Sequence, residues 1–154
     1  MARPHRRARG ERGAALVEFA LIAPFLAILS LASIDLGRAY SLQHRLANAS
    51  REGAAFAQYF PGQISSTATC VDPENIRYHA LGEDGGVAAG FSVTVTNVDT
   101  GSTINGPCTL TGIAPGTRVK VTVTGTFRPV TPFGKQFVGS PATLRKSTQV
   151  VVQG

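Results

Sequence analysis

The sequence predicts an α+β chain, in which one long N-terminal helix crosses a bilayer and runs on as a stem before a small antiparallel β-sheet domain. Three observations carry this. Residues 14–34 form an apolar run without Lys or Arg, residues 39–56 place apolar side chains three and four apart, and residues 91–96 and 119–127 alternate apolar with polar.

The apolar run has Glu18 as its sole charge. At about 1.5 Å per residue, roughly 20 residues span a hydrocarbon core of about 30 Å, so residues 14–34 suffice for one crossing. Ahead of them lie Arg3, Arg6, Arg7, Arg9 and Arg12. The positive-inside bias places this end in the cytoplasm and the chain beyond Asp35 outside. The organisation that follows is a basic cytoplasmic leader at 1–13, a transmembrane helix at 14–34, an amphipathic stem helix at 35–60 and an extracytoplasmic α+β domain at 61–154. A cleavable secretory signal is the competing reading, with Ser30-Leu31-Ala32 as its cleavage site. Against it, the apolar run exceeds the usual 7–15 residues of such a signal, and helical character continues beyond it.

The chain carries 15 Lys and Arg against 9 Asp and Glu, with a pI near 10.0. Five of those basic residues sit in the leader, so the excess is chiefly a topology signal. Nucleic-acid binding would need basic residues gathered on one folded face with stacking aromatics; the remaining ones are scattered and Trp is absent. Cys70 and Cys108, both on the outer side, suit a structural disulfide that closes a long loop, with two buried free thiols as the alternative.

Ala39, Leu42, Leu46, Ala49, Gly53 and Phe56 draw one apolar stripe along the stem. Its helix should end near Tyr59, ahead of Pro61-Gly62. The stripe suits either intramolecular core or an assembly surface. Asp35 and Arg38 can pair across one turn at the outer membrane boundary, the default being a solvated interfacial pair.

In the outer domain, Asp72-Pro73-Glu74 fits a helix start, Ile76, Tyr78, Ala80 and Leu81 a short helix, and Gly82 its end. Glu83-Asp84-Gly85-Gly86 reads as a turn. The two alternating segments are strands with one apolar face each, suited to a sheet covered on one side by helix. Turns are expected at Asp99-Thr100-Gly101, Asn105-Gly106-Pro107 and Ala114-Pro115-Gly116, around a short strand at 109–113, and a last strand is expected near 144–152.

Nothing in the chain points to catalysis. His5, His44 and His79 are isolated, no H-x-x-x-H, nucleophile elbow, Walker loop or Cys-x-x-Cys occurs, and His79 with the two cysteines lacks recognisable zinc spacing. No cofactor or metal is expected.

Ala14-Leu16-Val17-Glu18-Phe19-Ala20-Leu21 with Pro24, Asp35-Leu36-Gly37-Arg38-Ala39, Ala49-Ser50-Arg51-Glu52-Gly53-Ala54 and the Val-Thr-rich strand leading to Phe127-Arg128-Pro129 resemble the TadE-like proteins of the tight-adherence pilus system, described as minor pseudopilins. The resemblance implies a pilin-like fold and a subunit that helps to assemble or initiate a filament. It implies that prepilin peptidase cuts between Gly13 and Ala14, and that Glu18, at the fifth mature position, engages the N-terminal amine of a neighbouring subunit, with Phe19 and Pro24 in the same assembly segment. Asp35, Arg38, Arg51 and Glu52 fall in its stem motifs. Its implied partners are other pilus subunits, membrane assembly components, prepilin peptidase and the lipid bilayer. A carboxylate in a membrane costs a few kcal/mol alone, which a cationic partner offsets; the alternative is that Glu18 snorkels into the headgroups. The rival to the filament subunit is a signal-anchored extracytoplasmic binding domain that enters no filament.

Overall fold

A computed structural model describes residues 8–60, 76–82, 90–104, 113–139 and 141–153. Helix α1 (Ala8–Tyr59) is a single element of 52 residues, about 78 Å long at the standard rise. The helix is continuous through Pro24, whose missing N–H is tolerated in a bilayer when neighbouring groups satisfy the freed carbonyl. The serines of the apolar segment satisfy themselves locally: Ser30 Oγ donates to Leu26 O at 2.8 Å and Ser33 Oγ to Leu29 O at 2.9 Å.

The outer part contributes α2 (Ile76–Gly82), β1 (Ser92–Asn97), β2 (Arg118–Phe127), α3 (Pro132–Val138) and β3 (Ala142–Val151). The three strands form one antiparallel sheet in the order β1-β2-β3. Val93 faces Val123 and Val95 faces Val121 across the first pair; Arg118 to Phe127 match Val151 to Ala142 across the second. The fold is thus α+β, with one long apolar helix beside a three-stranded sheet.

Alternation decides which sheet face is covered. In β2, Val119, Val121, Val123 and Phe127 are buried, while Lys120, Thr122 and Thr124 between them are half-exposed. The buried face meets the stem stripe: Leu46 is fully buried, and Ala49, Gly53 and Phe56 join it in contact with α2 and the sheet. The stripe is therefore intramolecular core, which resolves one alternative left open by its periodicity.

Two close approaches set the distance between helix and sheet. A Cβ on Gly53 would lie 3.0 Å from Ala80 Cβ and 3.1 Å from Val121 Cγ1, and one on Gly125 would lie 3.0 Å from the Phe91 ring and 3.1 Å from Leu46 Cδ2. Missing side chains at these two positions let α1 seat against α2 and β2. Contacts climb the stem in register: Asp35 meets residues 130 and 131, Leu46 meets Gly125, Gly53 meets Val121, and Gln58 O accepts from Gln153 N at 2.9 Å. Strand β2 consequently runs antiparallel to the stem, with its Phe127 end nearest the apolar segment.

Several expectations meet the structure directly. The strands expected at 91–96, 119–127 and 144–152 occupy Ser92–Asn97, Arg118–Phe127 and Ala142–Val151, and the helix expected around 76–82 is α2. At the Asp99-Thr100-Gly101 turn, Asn97 Oδ1 accepts from the amides of Asp99 and Thr100, and Gly101 takes φ 70°. The Ala114-Pro115-Gly116 turn likewise places Gly116 at φ 85°. Residues 72–74, 83–86, 105–107 and 109–112 lie outside the described residues, as do Cys70 and Cys108 with the expected disulfide. One element was not expected from the sequence: α3.

Candidate functional site

The first candidate region is the N-terminal part of α1. The helix contains a segment long and apolar enough to cross a membrane, and among the described residues none of that segment is buried. Leu16, Val17, Phe19, Leu21 and Phe25 are each more than 60% exposed. Such a length of large apolar side chain is stable only against lipid or another protein. Gly13, Ala14 and Glu18 are exposed on the same helix, and a Cβ on Gly13 would meet nothing within 4 Å. Among the described residues none pairs with Glu18, so its carboxylate is available to headgroups or to a neighbouring subunit.

The second region lies where that segment ends. Asp35 is 7% exposed, which corrects the expectation of a solvated interfacial pair. Its carboxylate accepts from Val130 N at 2.9 Å, from Thr131 N at 3.1 Å and from the Thr131 hydroxyl. Arg38 stands 3.6 Å from Asp35 Oδ1, and its guanidinium also donates to Arg128 O at 3.3 Å. The helix pair predicted by spacing therefore exists, but it is the minor part of a clasp that binds the β2–α3 junction to the stem.

Local sequence explains the other half of the clasp. Thr131 is the N-cap of α3: its backbone is extended, its hydroxyl oxygen accepts from Gly134 N at 2.9 Å, and Pro132 follows. The same hydroxyl donates its proton to Asp35, so one side chain closes the helix start and ties it to α1. Glycine is needed at 134 because a Cβ there would crowd the Asp35 carboxylate, Pro129 at 2.9 Å and Thr131 Oγ1 at 3.1 Å. The Thr131 hydroxyl, then the Val130 amide, hold the Asp35 carboxyl below the ordinary aspartate value of 3.8 despite the opposing effect of desolvation.

At the far end of the sheet, Asp99 makes a second ionic clasp. It accepts from Arg118 N at 2.9 Å and from Arg118 Nε at 2.8 Å, and these contacts, the backbone one first, lower its pKa. This pair fixes the β1–β2 connection and lies about a strand's length from Asp35.

Of the stem residues singled out from sequence, Asp35 and Arg38 meet; Arg51 and Glu52 are both exposed, and as adjacent helix positions they point apart. Arg51 instead borders a cleft with Tyr40, His44 and Lys146. His79 stacks on Phe56 with ring centroids 4.1 Å apart. Among the described residues no group of three His, Cys, Asp or Glu side chains is placed to hold a metal ion. Thr131 and Gly134 were missed from sequence, although Thr131-Pro132 is a legible helix start.

Comparison with known proteins gives one match. Residues 13–55, all within α1, fit the model of the family described as TadE-like protein. No curated protein and no solved structure matches the chain.

Proposed function

From a chain that is TadE-like over residues 13–55, we propose a non-enzymatic minor pseudopilin of a tight-adherence pilus, which helps to assemble or initiate the filament. The family likeness ties the chain to that pilus system. The observation that carries the finer reading is the coincidence of the matched segment with an uncovered apolar helix that keeps one carboxylate, Glu18, near its start.

Each part of the helix has a task in this reading. The arginine-rich leader stays in the cytoplasm, prepilin peptidase cuts between Gly13 and Ala14, and the new amine lies four residues from Glu18. Residues 14–34 hold the subunit in the bilayer until assembly. In the filament, the same apolar face packs against other subunits, and Glu18 receives a neighbour's N-terminal ammonium. A buried carboxylate without such a partner is costly, so the pairing also sets the axial register of adjacent subunits. Asp35 keeps the outer domain in a fixed attitude on the stem, so that every subunit presents the same surface.

A photo-crosslinking amino acid at Phe19, which is 65% exposed, tests this in cells. The expected result is covalent capture of other pilus subunits or of membrane assembly components. Capture of lipid alone would support the signal-anchored binding domain instead.

A further inference from the structure

We propose that the outer domain rests on the bilayer through the β2–α3 junction and that a cleft at this edge binds the phosphate of an anionic phospholipid headgroup. The cleft is lined by Arg38, Ser41, Leu42, Arg45, Thr126, Phe127 and Arg128, and encloses about 360 Å³. Three of its lining residues are arginines and none is acidic. Asp35, one turn below Arg38, is engaged with Val130, Thr131 and Arg38.

Position selects lipid over a free anion. The apolar run ends at Ile34, and Arg38 lies four residues, about 6 Å, further along the helix. The interfacial layer of each leaflet is about 5–7 Å thick, so Arg38 falls within it. Arg45 lines the cleft from farther up the stem, where its guanidinium lies over the Phe91 ring, 5.2 Å from the centroid. Arg128 is carried to the same level because its own carbonyl accepts from Arg38, and Val130, two residues on, is bonded to Asp35. Guanidinium groups suit phosphate because they offer several fixed donors to its oxygens.

The surface beside the cleft agrees. Val130 is 62% exposed, and Val138 at the end of α3 is 56% exposed. Asp35 fixes the junction at the level where the apolar run ends, so these side chains face the acyl boundary rather than open water. An apolar rim with an arginine-lined cleft above it matches the two layers of a lipid surface.

The chain has no Trp, so a single introduced Trp reports its own depth. Full-length protein in nanodiscs of phosphatidylglycerol and phosphatidylcholine would carry V138W, V151W or L26W, with quenching measured from lipids brominated near the carbonyl end or at mid-chain. The proposal expects V138W to be quenched by the shallow bromines and shifted to the blue, and V151W, at the far end of β3 about 30 Å from Ala142, to be unaffected. The inference rests on residues 14–34 spanning the bilayer, and L26W separates the two failures. An unquenched L26W refutes the span; a quenched L26W with V138W matching V151W refutes only the docking. Lipid retention is read by native mass spectrometry. Wild type should hold an anionic lipid, and R128Q should weaken that retention about fivefold. Equal retention by R128Q and wild type, or equal displacement of the lipid by millimolar inorganic phosphate in phosphatidylcholine and phosphatidylglycerol discs, overturns a headgroup site.

Discussion

Replacing Leu46 by Ala should separate the stem from the sheet, whereas the same replacement at Leu36, ten residues earlier on the same helix, should do almost nothing. Leu46 is 0% exposed and Leu36 is 72% exposed, so residue type and secondary structure are held constant while burial changes. Truncating Leu46 removes three carbon groups from the core, worth about 2.4 kcal/mol at roughly 0.8 kcal/mol each. A cavity contribution adds to this, because Leu46 packs on the β2 backbone at Gly125, which has no side chain to fill the space. The expected total is about 3–5 kcal/mol, a large part of the stability of a small domain. At about 4–8 °C per kcal/mol, the midpoint should fall by at least about 12 °C. Leu36→Ala should stay within about 0.5 kcal/mol of wild type. The assay is denaturant unfolding of full-length protein in micelles, followed by amide exchange in β2 because the micelle preserves helix in α1 regardless. A loss below about 1 kcal/mol at Leu46, or similar losses at both positions, would refute the packing of the stem stripe on the sheet.

Other predictions concern the ends of the molecule and its clasps. Protein isolated from native membranes should begin Ala-Ala-Leu-Val-Glu on N-terminal sequencing, and Gly13→Leu should prevent that cut; a start at Ser33 would establish a secretory signal instead. Asp35→Asn should speed amide exchange at Val130 and Thr131 while leaving β2 protected, since the loss is confined to the junction. Asp35 and Asp99 both have folded pKa values below 3.8, so their stabilisation is complete above that value and declines as pH falls below it. Denaturation midpoints measured from about pH 6 down to about pH 3 should therefore drop on the acid side, and Asp99→Asn should reduce the drop.

How far the fold could be read from sequence follows from the range of each interaction. The stem stripe and the alternation at 119–127 are local periodicities, and each states which face needs cover without naming what covers it. The last five residues of the stripe, from Leu42 to Phe56, then fall where its period placed them. Asp35 was harder because its nearest sequence partner, Arg38, is real but secondary. The groups that bury it, Val130 and Thr131, lie 95 and 96 residues away, beyond any spacing rule. Helix α3 was missed for a related reason: Gly134 lowers helix propensity in a seven-residue segment, and its need for glycine appears only when the Asp35 carboxylate is seen against it.

Glu18 provides the most direct test of the filament role. A strain without its wild-type copy should be complemented with Glu18→Ala, and surface filaments should be counted after membrane insertion and N-terminal cleavage have been verified. The account predicts an inserted and processed protein, few or no filaments, and loss of crosslinks to other pilus components. Filament number and crosslinking equal to wild type would contradict it, leaving Glu18 as a carboxylate that merely reaches the headgroups.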